Sequence, residues 1–311
     1  MIQLSYNNYF KWYYDGVLFG RKKSADSVLT LKYDTKVKKF GSFKEELINN
    51  AHRFVEVYPN RKFSIMLSGG SESETLLRTY KEANIDFTAY IFRYERDVNL
   101  YDVSFAVSAC ESLNANYKII DFNLMSFYNS VEPERISEIA QLDRPRALVH
   151  CKFLDYITDN SVILFGLGAT GYKRLDDDYS KKGTWVNEIC DWEQGWDRYG
   201  MCSNRDVCYS WFRFSPELVL AHHSTQWANN LRNDFYYGKL GGKSTKLLGY
   251  KEAFPEMLYR QKKTGFENSY HELTALIDEY EKFLEKKYNG LPYRGNVTEN
   301  VDDIFRDLLE E

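Results

Sequence analysis

The segment Ser68-Gly69-Gly70-Ser71-Glu72-Ser73 places three hydroxyls, two glycines and a carboxylate in six consecutive residues. Hydroxyls and backbone N–H groups donate to anionic oxygens, and glycine lets the backbone come close to them. That chemistry suits a pyrophosphate. A second reading is that Ser71-x-x-Glu74 is a capping box and the glycines only form a turn. Two other glycine-rich stretches carry related signals. Gly166, Gly168 and Gly171 spell the G-x-G-x-x-G of a dinucleotide site, but the following residues, Tyr172 to Trp185, lack the apolar period of the helix that such a site requires. Gly238 to Thr245 resembles a P-loop with one residue too few between its glycines. It reads better as a glycine-rich connection to a helix.

The residues flanking the first stretch would position it. Lys62 to Ser68 is an apolar, strand-like run, and Ser73 to Asn84 has a helical pattern. Further strands are expected at Phe87 to Phe92, Tyr117 to Phe122 and Ser161 to Gly166. Helices are expected over Phe43 to Tyr58, with Phe43, Leu47, Ala51, Phe54 and Val55 on one stripe, over Val98 to Leu113, and over Ala147 to Ile157. Strand alternating with helix implies right-handed crossovers and a parallel sheet covered on both faces. The fold class expected is therefore α/β. Residues 1–45 read as a small β-rich addition, with Asp15-Gly16 as a hairpin turn, and the chain from about Phe212 onward reads as mostly helical. In such a sheet ligands bind beyond the carboxyl ends of the strands, where the Ser68 stretch falls.

Bulk properties narrow the function. The 311 residues carry a formal net charge of -4, which gives no electrostatic reason to expect a nucleic-acid-coating protein. No run approaches the apolar length of a membrane span, and five scattered cysteines argue for reduced thiols. A cytoplasmic protein is expected. Cys190, Cys202 and Cys208, with His222 and His223, lack regular zinc spacing and read as incidental. His52, His150 and His271 form no motif, and Arg144, Arg146 and Lys152 read as a solvated helix start.

The six-residue stretch resembles the Ser-Gly-Gly-x-Asp-Ser loop of the PP-loop ATP pyrophosphatases, with Glu72 where that group has Asp. Val162 to Arg174 and Lys246 to Phe266 resemble two later segments of the synthetase domain of asparagine synthetase and β-lactam synthetase, in the same order. The resemblance implies a PP-loop, Rossmann-like domain over 46–311 with ATP and Mg2+ as cofactors. It implies that Ser68, Gly69, Gly70, Ser71 and Ser73 contact pyrophosphate, that Gly166 and Gly168 border the nucleotide, that Glu72 faces magnesium, and that Arg260 and Lys262 carry the chemistry. Phe92, at the end of the second strand, is expected near adenine. The family's second acidic pair falls on Thr170-Gly171, so a second carboxylate must come from Asp176 to Asp178 if it comes at all. With Met1-Ile2 at its start and few residues before the loop, the chain is expected to lack glutaminase activity.

The resemblance thus implies a ligase that adenylates a small-molecule carboxylate, releases pyrophosphate and forms an amide with ammonia or an amine. Two alternatives remain: a nucleobase- or tRNA-modifying enzyme using the same adenylating chemistry, for which the 16% aromatic content would supply stacking surfaces, and a degenerate nucleotide-binding or scaffold protein.

Overall fold

A computed structural model describes residues 10–18, 20, 27–142, 144–168, 171–174, 185–233, 242–259, 269–288 and 296–310. Its centre is a five-stranded parallel sheet. The strands are β4 (Phe63–Met66), β5 (Phe87–Tyr94), β6 (Tyr117–Phe122), β7 (Val162–Phe165) and β10 (Val207–Cys208), in the spatial order β10-β7-β4-β5-β6. Of the three inner strands, β4 and β7 are buried at every residue, as expected of parallel strands covered on two faces.

Alternation along the strands sorts side chains between two layers. Phe63 and Ile65 join Val162 and Leu164 in a core with α1 (Phe43–Val57) and α2 (Ser71–Glu82), while Ala89 and Ile91 meet α3 (Leu100–Ser112). On the opposite face, Met66, Tyr90, Ile163 and Phe165 pack with α4 (Leu124–Tyr128), α5 (Glu132–Ala140), α6 (Pro145–Lys152), α7 (Asp191–Cys202) and α11 (His271–Lys287). The expected stripe of α1 is buried at Phe43, Leu47, Ala51 and Phe54, whereas Val55 faces outward. Its side chain falls on the edge of the helix that the sheet does not reach.

The N-terminal strands β1 (Phe10–Tyr14), β2 (Val17–Leu18) and β3 (Leu29–Tyr33) form a separate antiparallel sheet. Asp15 and Gly16 both have positive φ, the twist a two-residue hairpin turn needs. Another antiparallel sheet, of β8 (Tyr172–Arg174), β9 (Trp185–Cys190) and β11 (Asn296–Asn300), lies where the sequence patterns indicated no strands. The C-terminal part is otherwise helical: α8 (Pro216–His223), α9 (Gln226–Asn233), α10 (Gly242–Ala253), α11 and α12 (Val301–Leu308). Because β8 follows Gly171, no helix opens after Gly166-x-Gly168, and the dinucleotide reading loses the helix it depends on. Among the described residues no helix is long and apolar enough to cross a membrane.

A buried polar joint fastens the N-terminal sheet to the main body. Trp12 Nε1 donates to Asp197 Oδ2 on α7 at 2.8 Å, Ser210 Oγ donates to the same oxygen at 3.1 Å, and the Tyr33 hydroxyl donates to the Arg213 carbonyl at 3.1 Å. Trp12 and Asp197 are fully buried. Trp12→Phe keeps most of the apolar surface but removes a donor to a buried carboxylate. It should lower unfolding stability by about 2 kcal/mol, read as a lower urea midpoint at unchanged slope.

Candidate active site

From β4 the chain steps outward to β5 and β6 on one side, then returns to β7 and β10 on the other. The reversal lies between β4 and β7, so their carboxyl ends diverge and leave a crevice. Met66 is paired with Phe165 there, and the next residues are the Ser68 stretch on one strand and Gly166-Leu167-Gly168 on the other. The structure brings these two predicted segments together.

Two glycines make this meeting close. Gly69 has φ +83°, and a Cβ built on it would lie 2.0 Å from the Asp102 carbonyl oxygen in the first turn of α3. At Gly166 a Cβ would lie 2.8 to 2.9 Å from backbone atoms of Glu72 and Ser73. The loop is therefore wedged between α3 and the end of β7 by backbone contact. Gly70, by contrast, is extended, and only the Ser68 hydroxyl limits a side chain there.

The capping-box reading fails by one residue. The N-cap of α2 is Gly70, so Ser71 is the first helical residue, and no side-chain hydrogen bond caps the helix. Glu74 instead pairs with Arg78 at 2.8 Å. The hydroxyls organise the loop: Ser73 Oγ donates to the Gly70 carbonyl at 3.0 Å, the Ser68 N–H donates to Ser73 Oγ, and the Gly70 N–H donates to Ser68 Oγ. What faces the crevice is a helix N-terminus with its positive dipole end, a serine-lined loop and no capping side chain, an arrangement suited to an anion.

Sequence patterns did not indicate the cation beside this loop. Lys246 Nζ, from α10, donates to Glu72 Oε1 at 2.8 Å, and both side chains are half-buried. Tyr250, one turn further along α10, is buried with its hydroxyl beside Glu72. Burial, reinforced by the Glu72 charge, raises its pKa well above the usual phenol range. His222 stacks on Phe43, and burial, with Arg213 and Lys246 adding positive charge, lowers its pKa to about 3. It is thus a neutral imidazole. Arg213 is also buried beneath this loop pair, its Nε bonded to Glu193 Oε2 at 3.1 Å and its side chain lying against Gly168. The glycine-rich stretch ending in Thr245 proves to open α10 at Gly242, which is how Lys246 reaches the loop.

The remaining predicted residues fall elsewhere. Phe92 lies two residues inside the end of β5, stacked on Phe153 with ring centroids 3.8 Å apart. Its ring belongs to the aromatic core with Phe122 and Phe153. Thr170, Asp176 to Asp178, Arg260 and Lys262 lie outside the described residues. The chain leading to Arg260 is anchored at Met257, whose sulfur accepts from Thr75 of α2. Beyond Lys262 it is anchored at Tyr270, whose hydroxyl donates to Glu95 Oε1 and whose ring carries the Arg96 guanidinium at 4.2 Å.

Among the described residues the donor set at Glu72 builds no all-protein magnesium cage, and Asp176 to Asp178 lie outside them. The ion needs several oxygen ligands in octahedral array. Here one Glu72 oxygen already accepts from an ammonium, Gly171 brings no side-chain oxygen, and no group of three His, Cys, Asp or Glu among the described residues could hold a metal. Cys208 is buried in β10 and Cys202 is exposed, and neither belongs to such a group.

A scan against protein-family models finds no match, and a search of curated proteins finds none either. Solved structures similar to the chain include NMN synthetase from Francisella tularensis, with TM-score 0.34 and 20% identity over 41% of this chain and 54% of that one. Another is the NH3-dependent NAD synthetase from Campylobacter jejuni, with TM-score 0.32 and 21% identity over 40% and 56% of the two chains. A third is the glutamine-dependent NAD+ synthetase from Acinetobacter baumannii in complex with ADP, with TM-score 0.30 and 15% identity over 50% and 33%. The chain spans about half the length of the first two and a third of the last.

The two loop glycines should respond differently to a methyl group. Gly69→Ala combines a left-handed backbone with overlap on a carbonyl, and should cost on the order of 3 kcal/mol of stability. Gly70→Ala should cost less than about 1 kcal/mol. Chemical denaturation of the two variants checks the contrast, and equal costs would show that the loop is not wedged as described.

Proposed function

We propose that the chain is an ATP-dependent, AMP-forming ligase that activates a small-molecule carboxylate and transfers its acyl group to ammonia or an amine. The observation that carries this reading is the uncapped N-terminus of α2, set under a Ser-Gly-Gly loop at the reversal point of a parallel sheet with Lys246 beside it. The resemblance of the loop to the PP-loop sequence supplies the reaction class.

In this reading the loop N–H groups and the Ser68 and Ser73 hydroxyls hold the β- and γ-phosphates. A substrate carboxylate oxygen attacks the α-phosphorus, the bond to the bridging oxygen breaks, and pyrophosphate leaves. The nitrogen of ammonia or an amine then attacks the acyl carbon, AMP departs, and the nitrogen loses a proton. Lys246 offsets charge on the polyphosphate, and fixed positive groups of this kind act most strongly where charge develops in the transition state. Lys262, with Arg260 preceding it, is assigned to the α-phosphate, on a stretch whose two anchors, Met257 and Tyr270, bind α2 and the residues just beyond β5.

One observation favours a second reading, a nucleotide-binding protein without turnover: the loop carboxylate expected to face magnesium is paired with Lys246. Exchange of labelled pyrophosphate into ATP, screened against pools of amino acids and small carboxylic acids, separates the two. Exchange that depends on a carboxylate selects the ligase, and binding without exchange selects the second reading.

Three outcomes are expected. ATP at a hundredfold excess over its Kd should stabilise the fold by about 2.7 kcal/mol, read as a raised melting temperature that NAD does not reproduce. Gly70→Val should remove this protection while leaving the protein folded, because a β-branched side chain obstructs approach to the loop. Lys262→Ala should reduce turnover on the order of a hundredfold with a much smaller change in ATP affinity, whereas Lys263→Ala should be mild. Steady-state kinetics beside calorimetric binding checks this pair.

A further inference from the structure

The pairing of Glu72 with Lys246 has the character of an occupied anion site. Glu72 is the second residue of α2, so its carboxylate lies in the first turn, where the helix dipole favours negative charge. One of its oxygens accepts from the Lys246 ammonium at 2.8 Å. The buried Tyr250 hydroxyl stands beside it and has no partner among the described residues other than this carboxylate. A helix N-terminus, an ammonium and a buried hydroxyl are the donors that a phosphate uses, and at present a single carboxylate serves them. The pair is also easily broken. Each side chain keeps 29% exposure, and partly exposed ion pairs of this kind contribute little to stability.

Resting on the reading of this loop as a phosphate site, we infer that Glu72 is an internal stand-in for phosphate: it holds Lys246 at the N-terminus of α2 until a polyphosphate takes the lysine over. The site then carries its own cation and does not need a metal held by Glu72. The pairing agrees, since the Glu72 oxygen tied to the ammonium is not open to a divalent ion that one or two carboxylates and the substrate phosphates would otherwise hold. Replacing Asp by Glu, as this loop does, also adds the methylene that extends the carboxylate toward a neighbouring helix. Glu72 competes with the ligand for Lys246 and repels its charge, so removing the carboxylate should strengthen binding.

Isothermal titration of the full chain with inorganic pyrophosphate, once in EDTA and once in Mg2+, tests this. Wild-type Kd should agree between the two conditions within about threefold, and Glu72→Gln should tighten binding on the order of tenfold in both. Lys246→Met should weaken binding by about tenfold or more, with Lys246→Arg restoring most of it. Near-ultraviolet circular dichroism confirms that each variant is folded. If Mg2+ tightens the wild type by about tenfold or more and Glu72→Gln abolishes that gain, Glu72 is a metal ligand and the inference fails while the phosphate site stands. If no folded variant binds pyrophosphate in either condition, the phosphate site fails and the inference with it.

Discussion

The site depends on backbone meeting backbone where only hydrogen fits. Gly69 lies against the Asp102 carbonyl and Gly166 against the first turn of α2, so the loop after β4 is gripped from both sides without any side chain intervening. Close packing of this kind resists deformation because interiors have few voids into which a displaced group can move. The grip fixes where the N–H groups of α2 point, and it brings the end of β7 within reach of the same crevice. Sheet order, helix start and site geometry are thus set by one contact region, and the side chains that add charge are arranged around it.

Those side chains come from distant parts of the chain. Lys246 lies 174 positions from Glu72, and Tyr33 and Arg213 are 180 apart. Arg213 and His222 lie beneath the loops in the buried layer, the first neutralised by Glu193 and the second held uncharged by burial. Placing a neutral imidazole between two cations lowers the mutual repulsion that a third positive charge would add. The Tyr172 hydroxyl, hydrogen-bonded to His223 Nδ1 at 2.6 Å, ties the start of β8 to the same layer.

Much of this was legible in the sequence. The four longer parallel strands and the helices between them followed from apolar runs and stripes, because their burial is decided by local periodicity. The position of the Ser68 loop at a strand end followed in turn. The two-residue strand β10 is too short to show a period, and β8, β9 and β11 pair across segments that no local pattern links. Register also defeated local reading. The spacing of Ser71 and Glu74 matched a capping box, but the helix begins at Ser71 itself, which turns Glu74 inward to Arg78. Phe92 looked like a strand end because the apolar run stops there, while the strand continues through Arg93 to Tyr94, with Arg93 paired across to Asp121 on β6. Lys246 was hidden for a different reason: its role comes from a contact between helices, and its own neighbourhood signals only a helix start.

The joint at Asp197 links two parts of the molecule in one thermodynamic cycle. The same carboxylate oxygen accepts from Trp12 in the N-terminal sheet and from Ser210, and Ser210 bridges to Gly166 at the crevice. Free-energy linkage is reciprocal: whatever a bound molecule gains by firming the turn after β7, the N-terminal sheet gains in docking strength, and loosening the sheet is felt at the crevice to the same extent. A ligand that firms this turn would thus slow amide exchange in β1 and β3, strands that do not line the site.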